Sequence, residues 1–175
     1  MKKNHIMAVV AALAIFTVTH TQAQSRHASE NGYYGEIAYS DVSVSGAGGN
    51  ANPQAMRLLL GNEMNKNLGV EAMYASTVSK DSRPGYDASY SSFGIFLKPK
   101  MALSDNTEIF ARVGMLRADI TASASGSHTG SDLAYGLGIQ TNFTQSVYGQ
   151  LDYMHSYDRD GVSAKGYALS LGMRF

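Results

Sequence analysis

The chain contains no cysteine and no tryptophan, only three prolines in 175 residues, and no net charge, with 14 basic against 14 acidic side chains. Without cysteine there can be no disulfide framework, thiolate metal site or cysteine nucleophile. The charge balance supplies no field that would gather nucleic acid, which excludes a basic nucleic-acid-binding domain. Long apolar runs are also missing after residue 18. A helical membrane protein is therefore excluded, because each span would need about 20 apolar residues. A barrel is not, because its strands show lipid only every second residue. What is abundant is 18 glycines, 11 tyrosines and 6 phenylalanines, a bias toward β structure.

The N-terminus forms a separate unit. Lys2 and Lys3 precede the apolar stretch at residues 6–18, then polar residues lead to the small pair Thr21 and Ala23. This positive, apolar, small-residue order predicts a secretory signal peptide over residues 1–23, leaving a domain over 24–175. Its removal takes two lysines and no acids, so 12 basic residues face 14 acidic ones in the remainder.

From Gly32 onward the hydrophobic period is two. Tyr33, Ile37 and Tyr39 alternate with Tyr34, Glu36 and Ala38; Met56, Leu58 and Leu60 alternate with Arg57, Leu59 and Gly61. The same pattern recurs at residues 68–75, 93–98, 108–115, 133–140, 147–153 and 166–175, giving eight segments. Breaks between them alternate in length: short at 65–67, 104–106 and 142–145, longer at 43–54, 79–86, 118–131 and 156–164. An even strand number with short turns at one rim and long loops at the other predicts an all-β fold, an eight-stranded antiparallel up-and-down transmembrane β-barrel. One face of each segment is apolar or aromatic, whereas glycine and nearly every mid-segment charge share the other. That inversion suits an outer face in lipid and a narrow polar interior.

The last ten residues, Gly-Tyr-Ala-Leu-Ser-Leu-Gly-Met-Arg-Phe, resemble the terminal strand of outer-membrane proteins. The resemblance implies that Tyr167, Leu169, Leu171, Met173 and Phe175 form a signal read by the barrel-assembly machinery. Residues 103–114 with 117–119 resemble the fifth strand of the eight-stranded OmpA-type barrel and the turn before it. Residues 67–74 are similar to its third strand and residues 150–153 to its seventh. That family pairs inward acids and bases in the barrel core, and the matching positions are Glu71, Lys98, Arg112 and Asp152. Glu36 and Arg57 share their inward parity, and Arg57 stands in for the inward base that the family carries on its last strand. Charges withdrawn from water persist only when paired, so the resemblance implies a plug rather than a channel. No periplasmic domain is expected after the barrel segment, which moves the likeness toward free-standing small barrels of the OmpX and opacity type.

Other chemistry reads weakly. His155-Ser156 and His128 with Ser131 invite comparison with lipid A deacylases but lack their His-x-Ser spacing. The run Asp158-Arg-Asp-Gly carries only part of a calcium-loop pattern, and Gly46-Ala-Gly-Gly lacks the strand-to-helix context of a phosphate cradle. No catalytic residue, metal ligand or cofactor is expected. The sequence predicts a non-catalytic envelope or surface-contact role in the outer membrane of a Gram-negative-type cell. A rim enzyme acting on lipid A and a small pore are the alternatives. Expected partners are outer-membrane lipid and lipopolysaccharide, the assembly machinery, and a surface ligand of the outer loops, where Lys80, Arg83, Arg117 and Arg159 lie.

Overall fold

The computed structural model describes residues 32–46, 49–79, 81–83, 86–122, 126–159 and 161–175. The expected signal peptide at residues 1–23 lies outside the described residues. Ten strands are present among them: β1 (Tyr33–Gly46), β2 (Gly49–Ala51), β3 (Gln54–Asn65), β4 (Leu68–Ser79), β5 (Asp81–Arg83), β6 (Tyr86–Ala102), β7 (Thr107–Ala122), β8 (Gly126–Asn142), β9 (Val147–Arg159) and β10 (Val162–Arg174). Eight are long and form one antiparallel sheet in the order β10-β9-β8-β7-β6-β4-β3-β1, which closes where β1 pairs with β10. That seam runs from Tyr34↔Arg174 to Ser45↔Ser163. β2 and β5 are short arms folded back on β1 and β6.

Tight turns join the long strands at one rim. Lys66 and Asn67 turn β3 into β4, with the Asn65 side chain accepting a hydrogen bond from the Asn67 amide at 2.8 Å. Residues 103–106 and 143–146 make the other two, and in the latter Thr144 Oγ1 accepts from the amides of Ser146 and Val147.

Side-chain direction follows from the pleat. In β7, Ile109, Val113 and Met115 point outward and are exposed, while Phe110 and Arg112 point inward and are buried. Exposed apolar residues girdle the barrel throughout, among them Leu58, Leu60, Ile95, Leu97, Leu137, Leu151 and Leu169. Aromatic residues edge this band, with Tyr39, Tyr74, Phe93, Tyr135, Tyr153 and Tyr167 toward the long-loop rim and Tyr33, Phe143 and Phe175 toward the short-turn rim. From Leu133 to Phe143 the outer surface rises by about 25 Å, taking ~3.3 Å per residue and a tilt near 40°, the height of a lipid-facing band.

The ladders continue above this band, through stretches that the sequence reads as loops. β7 and β8 stay paired from Arg117↔Ser131 to Ala122↔Gly126, roughly 15 Å further along the strands at ~3.3 Å per residue. Here the pattern reverses without any change of register: Arg117, Asp119 and Thr121 face out, while Leu116, Ala118 and Ile120 are buried inside. Val42 and Val44 in β1 and Val162 and Ala164 in β10 follow the same rule. With Tyr90, Met154 and Tyr157 they form a buried apolar core in the upper lumen. Among the described residues the interior charges lie in its lower part, and the interior above them is mainly apolar, with Ser40 and Ser92 as buried hydroxyls.

A bulge in β9 allows this. Ala164 pairs with Tyr157 and Lys165 with His155, leaving Ser156 as the extra residue. The insertion switches parity, so Met154 is inside below it and Tyr157 inside above it. Lower down, the phenol rings of Tyr34 and Tyr148 lie flat against the walls over Gly61 and Gly172, where any Cβ would overlap them. Gly172→Ala should displace Tyr148 and cost about 1–3 kcal/mol of stability, the range for overpacking. The shift in urea midpoint, read as loss of heat-modifiable gel migration, measures it.

Candidate functional site: a charge network across the lumen

Below the apolar core, inward side chains of six strands meet. Glu36 comes from β1, Arg57 from β3, Glu71 from β4, Lys98 from β6, Arg112 from β7 and Asp152 from β9, and all are buried. Three acids face three bases, so the set is neutral.

Arg112 is the hub. Its Nε donates to Glu71 Oε2 at 2.5 Å, Nη1 to Asp152 Oδ2 at 2.7 Å, and Nη2 to Glu36 Oε2 at 3.1 Å and Gln150 Oε1 at 3.0 Å. Arg57 forks onto both oxygens of Asp152, with Nη1 donating to Oδ1 at 3.0 Å. Lys98 Nζ lies 3.1 Å from both Glu36 Oε1 and Glu71 Oε1. Its ammonium also stands over the rings of Phe110 (4.6 Å), Tyr34 (5.1 Å) and Tyr148 (5.9 Å), which suits a cation on aromatic faces.

Four neutral residues complete the set. Tyr34 donates to Glu71 and Tyr148 to Glu36, each at 2.9 Å. Gln150 Nε2 donates to Glu36 Oε1 at 2.6 Å and to Gln140 Oε1 at 2.9 Å. Tyr34, Gln140, Tyr148 and Gln150 share the inward parity of the period-two pattern, which does not by itself assign them to the network. Their parity was the available signal, because a buried polar side chain in a lumen must find a partner. A second cluster sits nearer the short-turn rim, where Lys100 lies 2.5 Å from Glu63 and 3.6 Å from Glu108. Arg174 there reaches Asn142 at 3.0 Å and covers the Tyr148 ring.

The arrangement closes the lumen rather than lining a passage. Arg112 joins acids on opposite walls, and the aromatic rings fill the space between. Among the described residues, His155 and Ser156 do not come together as a Ser-His pair. His155 stacks on Tyr135 on the outer surface, 5.2 Å between centroids, with Nε2 3.6 Å from Asp158. Ser156, at the bulge, instead lines a small interior cavity with Tyr90 and Met154. The side chains of His128 and Arg83, and residue Lys80, lie outside what is described. Asp158 leads into the β9–β10 turn, and Gly46 and Gly49 pair in the β1–β2 hairpin. Among the described residues no group of His, Asp or Glu could hold a metal ion.

A closed eight-stranded barrel with a lipid-type exterior and a plugged lumen is the architecture of small outer-membrane proteins, and the family profile of the outer membrane protein beta-barrel domain matches residues 8–175. The chain belongs to that family. It is thus a β-barrel protein of the Gram-negative outer membrane. No curated protein sequence matches it. Among solved structures it is similar to Ail, the attachment invasion locus protein of Yersinia pestis, at 22% identity and a TM-score of 0.64, covering 83% of this chain and 99% of that one. Neisserial surface protein A gives 20% identity and a TM-score of 0.60 over 81% of this chain and 95% of that one. The N-terminal barrel of Pseudomonas aeruginosa OprF gives 11% and 0.54 over 80% and 97%. Ail has also been solved in complex with the heparin analogue sucrose octasulfate.

Replacing Arg112 by Met should leave three carboxylates facing two cations and cost about 3–5 kcal/mol, the range for breaking a buried pair. In urea unfolding, adding Glu71→Gln to Arg112→Met should recover part of that loss. Arg117→Met on the outer surface should change stability by less than ~0.5 kcal/mol.

Proposed function

We propose that this outer-membrane barrel is a non-catalytic surface-contact protein. In this reading it is exported through residues 1–23, with the terminal pattern Tyr167, Leu169, Leu171, Met173 and Phe175 delivering it to the assembly machinery. The observation that carries the role is the continuation of paired strands beyond the lipid-facing band, above a lumen that is filled. A barrel with a filled lumen that raises a polar β-ribbon above the membrane is built to present surface.

The composition of that surface supports contact with an anionic or sugar-rich partner. Arg117 is exposed among Ser131, Thr129 and Asp119, and Lys165 is exposed on β10, and basic side chains at this level are drawn to anionic headgroups and polyanions. Lipopolysaccharide phosphate is the nearest such ligand. A sulfated glycan on another cell is the more distant one, the class of the sucrose octasulfate held by Ail.

Displayed on a barrel-free host, the protein should raise adhesion to heparin-coated surfaces or epithelial cells. Replacing residues 119–129 by a two-residue Asn-Gly turn should abolish that gain while the barrel stays heat-modifiable. In planar bilayers the pure protein should give no steady conductance. An open-pore conductance, or an acyl-chain mass loss from lipid A that disappears in His155→Ala, would overturn the reading. Deleting Phe175 should reduce outer-membrane assembly several-fold in fractionation, and N-terminal sequencing of the exported protein should begin at Gln24.

A further inference from the structure

Where β1, β10 and β9 run side by side at the top of the lipid-facing band, the outer surface holds a hollow of about 290 Å³, lined by Asp41, Ser43, Asn52, Tyr153, Lys165 and Tyr167 around Gly166. Register orders these side chains into two rows. Asp41 pairs with Tyr167 and Tyr167 with Tyr153, making a lower row of one carboxylate and two rings. Ser43 pairs with Lys165, making an upper row of a hydroxyl and an ammonium. The two rings pack at 4.9 Å between centroids and a 52° tilt, and both remain open to the outside, Tyr167 by 64% and Tyr153 by 37%.

Asp41 and Lys165 are both exposed, and among the described residues neither side chain makes an ion pair or hydrogen bond, with each other or with any neighbour. Unpaired opposite charges in one hollow match a ligand that carries both. The lower row suits a cation, since an alkylammonium gains from aromatic faces and from a carboxylate together. The upper row suits a phosphate, which a lysine ammonium and a hydroxyl can both contact.

We propose that this hollow binds a zwitterionic phospho-amine, of the phosphoethanolamine or phosphocholine class, with its amine toward the membrane and its phosphate toward the outside. The orientation bears on the source. A phospholipid of the surrounding leaflet presents its phosphate deeper than its amine, the reverse of what the rows require. The ligand is therefore a phospho-amine free in solution or hung from a saccharide above the membrane. The inference goes beyond the surface-contact role and does not depend on it.

Calorimetric titration of the purified barrel in a nonionic glucoside detergent tests it, with O-phosphoethanolamine, phosphocholine, inorganic phosphate and ethanolamine as probes. The two zwitterions should bind, and each half-molecule should bind at least about fivefold more weakly, the order of one exposed ion pair. Asp41→Asn should weaken the zwitterions about fivefold and leave inorganic phosphate unchanged, Lys165→Gln should weaken both, and Tyr153→Leu should weaken phosphocholine most. Heat-modifiable migration of each variant controls for folding. In nanodiscs, soluble phosphoethanolamine should titrate equally in phosphatidylglycerol and phosphatidylethanolamine bilayers. Absence of zwitterion binding, equal binding of phosphate alone, or loss of the titration in phosphatidylethanolamine discs would each overturn the assignment.

Discussion

In hydrocarbon there is no water to satisfy a peptide group, so every amide and carbonyl of a spanning segment must find its partner within the protein. For strands this means closing the sheet, and here the closure is the pairing of β1 with β10. Much else follows from that seam. A closed sheet has one face in lipid and one in a confined lumen, and the pleat sends alternate side chains to each. An eight-stranded lumen is narrow enough to be filled by side chains. The glycines at 61 and 172 then make room for flat-lying tyrosine rings, and the charges that cannot face lipid are brought within hydrogen-bonding distance of one another.

The lumen has two compartments with opposite physics. In the lower one Arg112 touches Glu36, Glu71 and Asp152, and every acid in the set has more than one donor. Such a network is held by mutual satisfaction rather than by a favourable transfer from water. In the upper one Val42, Val44, Ile120, Tyr157 and their neighbours exclude water as in any soluble core. The lower barrel is thus inside-out and the upper one conventional, and a single strand such as β7 belongs to both. The exchange takes place at one level, marked outside by Met115 giving way to Arg117 and by Tyr167 giving way to Lys165.

Most of the membrane-spanning architecture was legible in the sequence because lipid imposes a strict rule. An outward position between Ile109 and Met115 must be apolar, so a charge at Glu71, Lys98, Arg112 or Asp152 reveals the other face by its mere presence. Above the lipid the rule lapses. The run Asp41-Val-Ser-Val-Ser alternates as clearly as any strand, yet its small polar residues resemble a loop. Its apolar residues point the opposite way to those just before it, so one register appears broken into two. The bulge at Ser156 left no compositional trace, because a single extra residue in a polar stretch looks like any other. Network partners such as Gln150 and Tyr148 were visible as inward residues. Which acid each would bind depends on the shear of the barrel, a quantity no single strand contains.

The six charges also constrain how the protein can be built. Of the contacts among them, Glu71 with Lys98 alone joins strands that are neighbours in the sheet. Arg57 reaches Asp152 across 95 residues of sequence, and Arg112 reaches Glu36 across 76. A hairpin entering the bilayer by itself would carry most of its charge unneutralised, and the balance is reached when the first strand meets the last. Insertion one hairpin at a time is therefore disfavoured by the interior itself, and threading into lipid and closure of the ring become a single event.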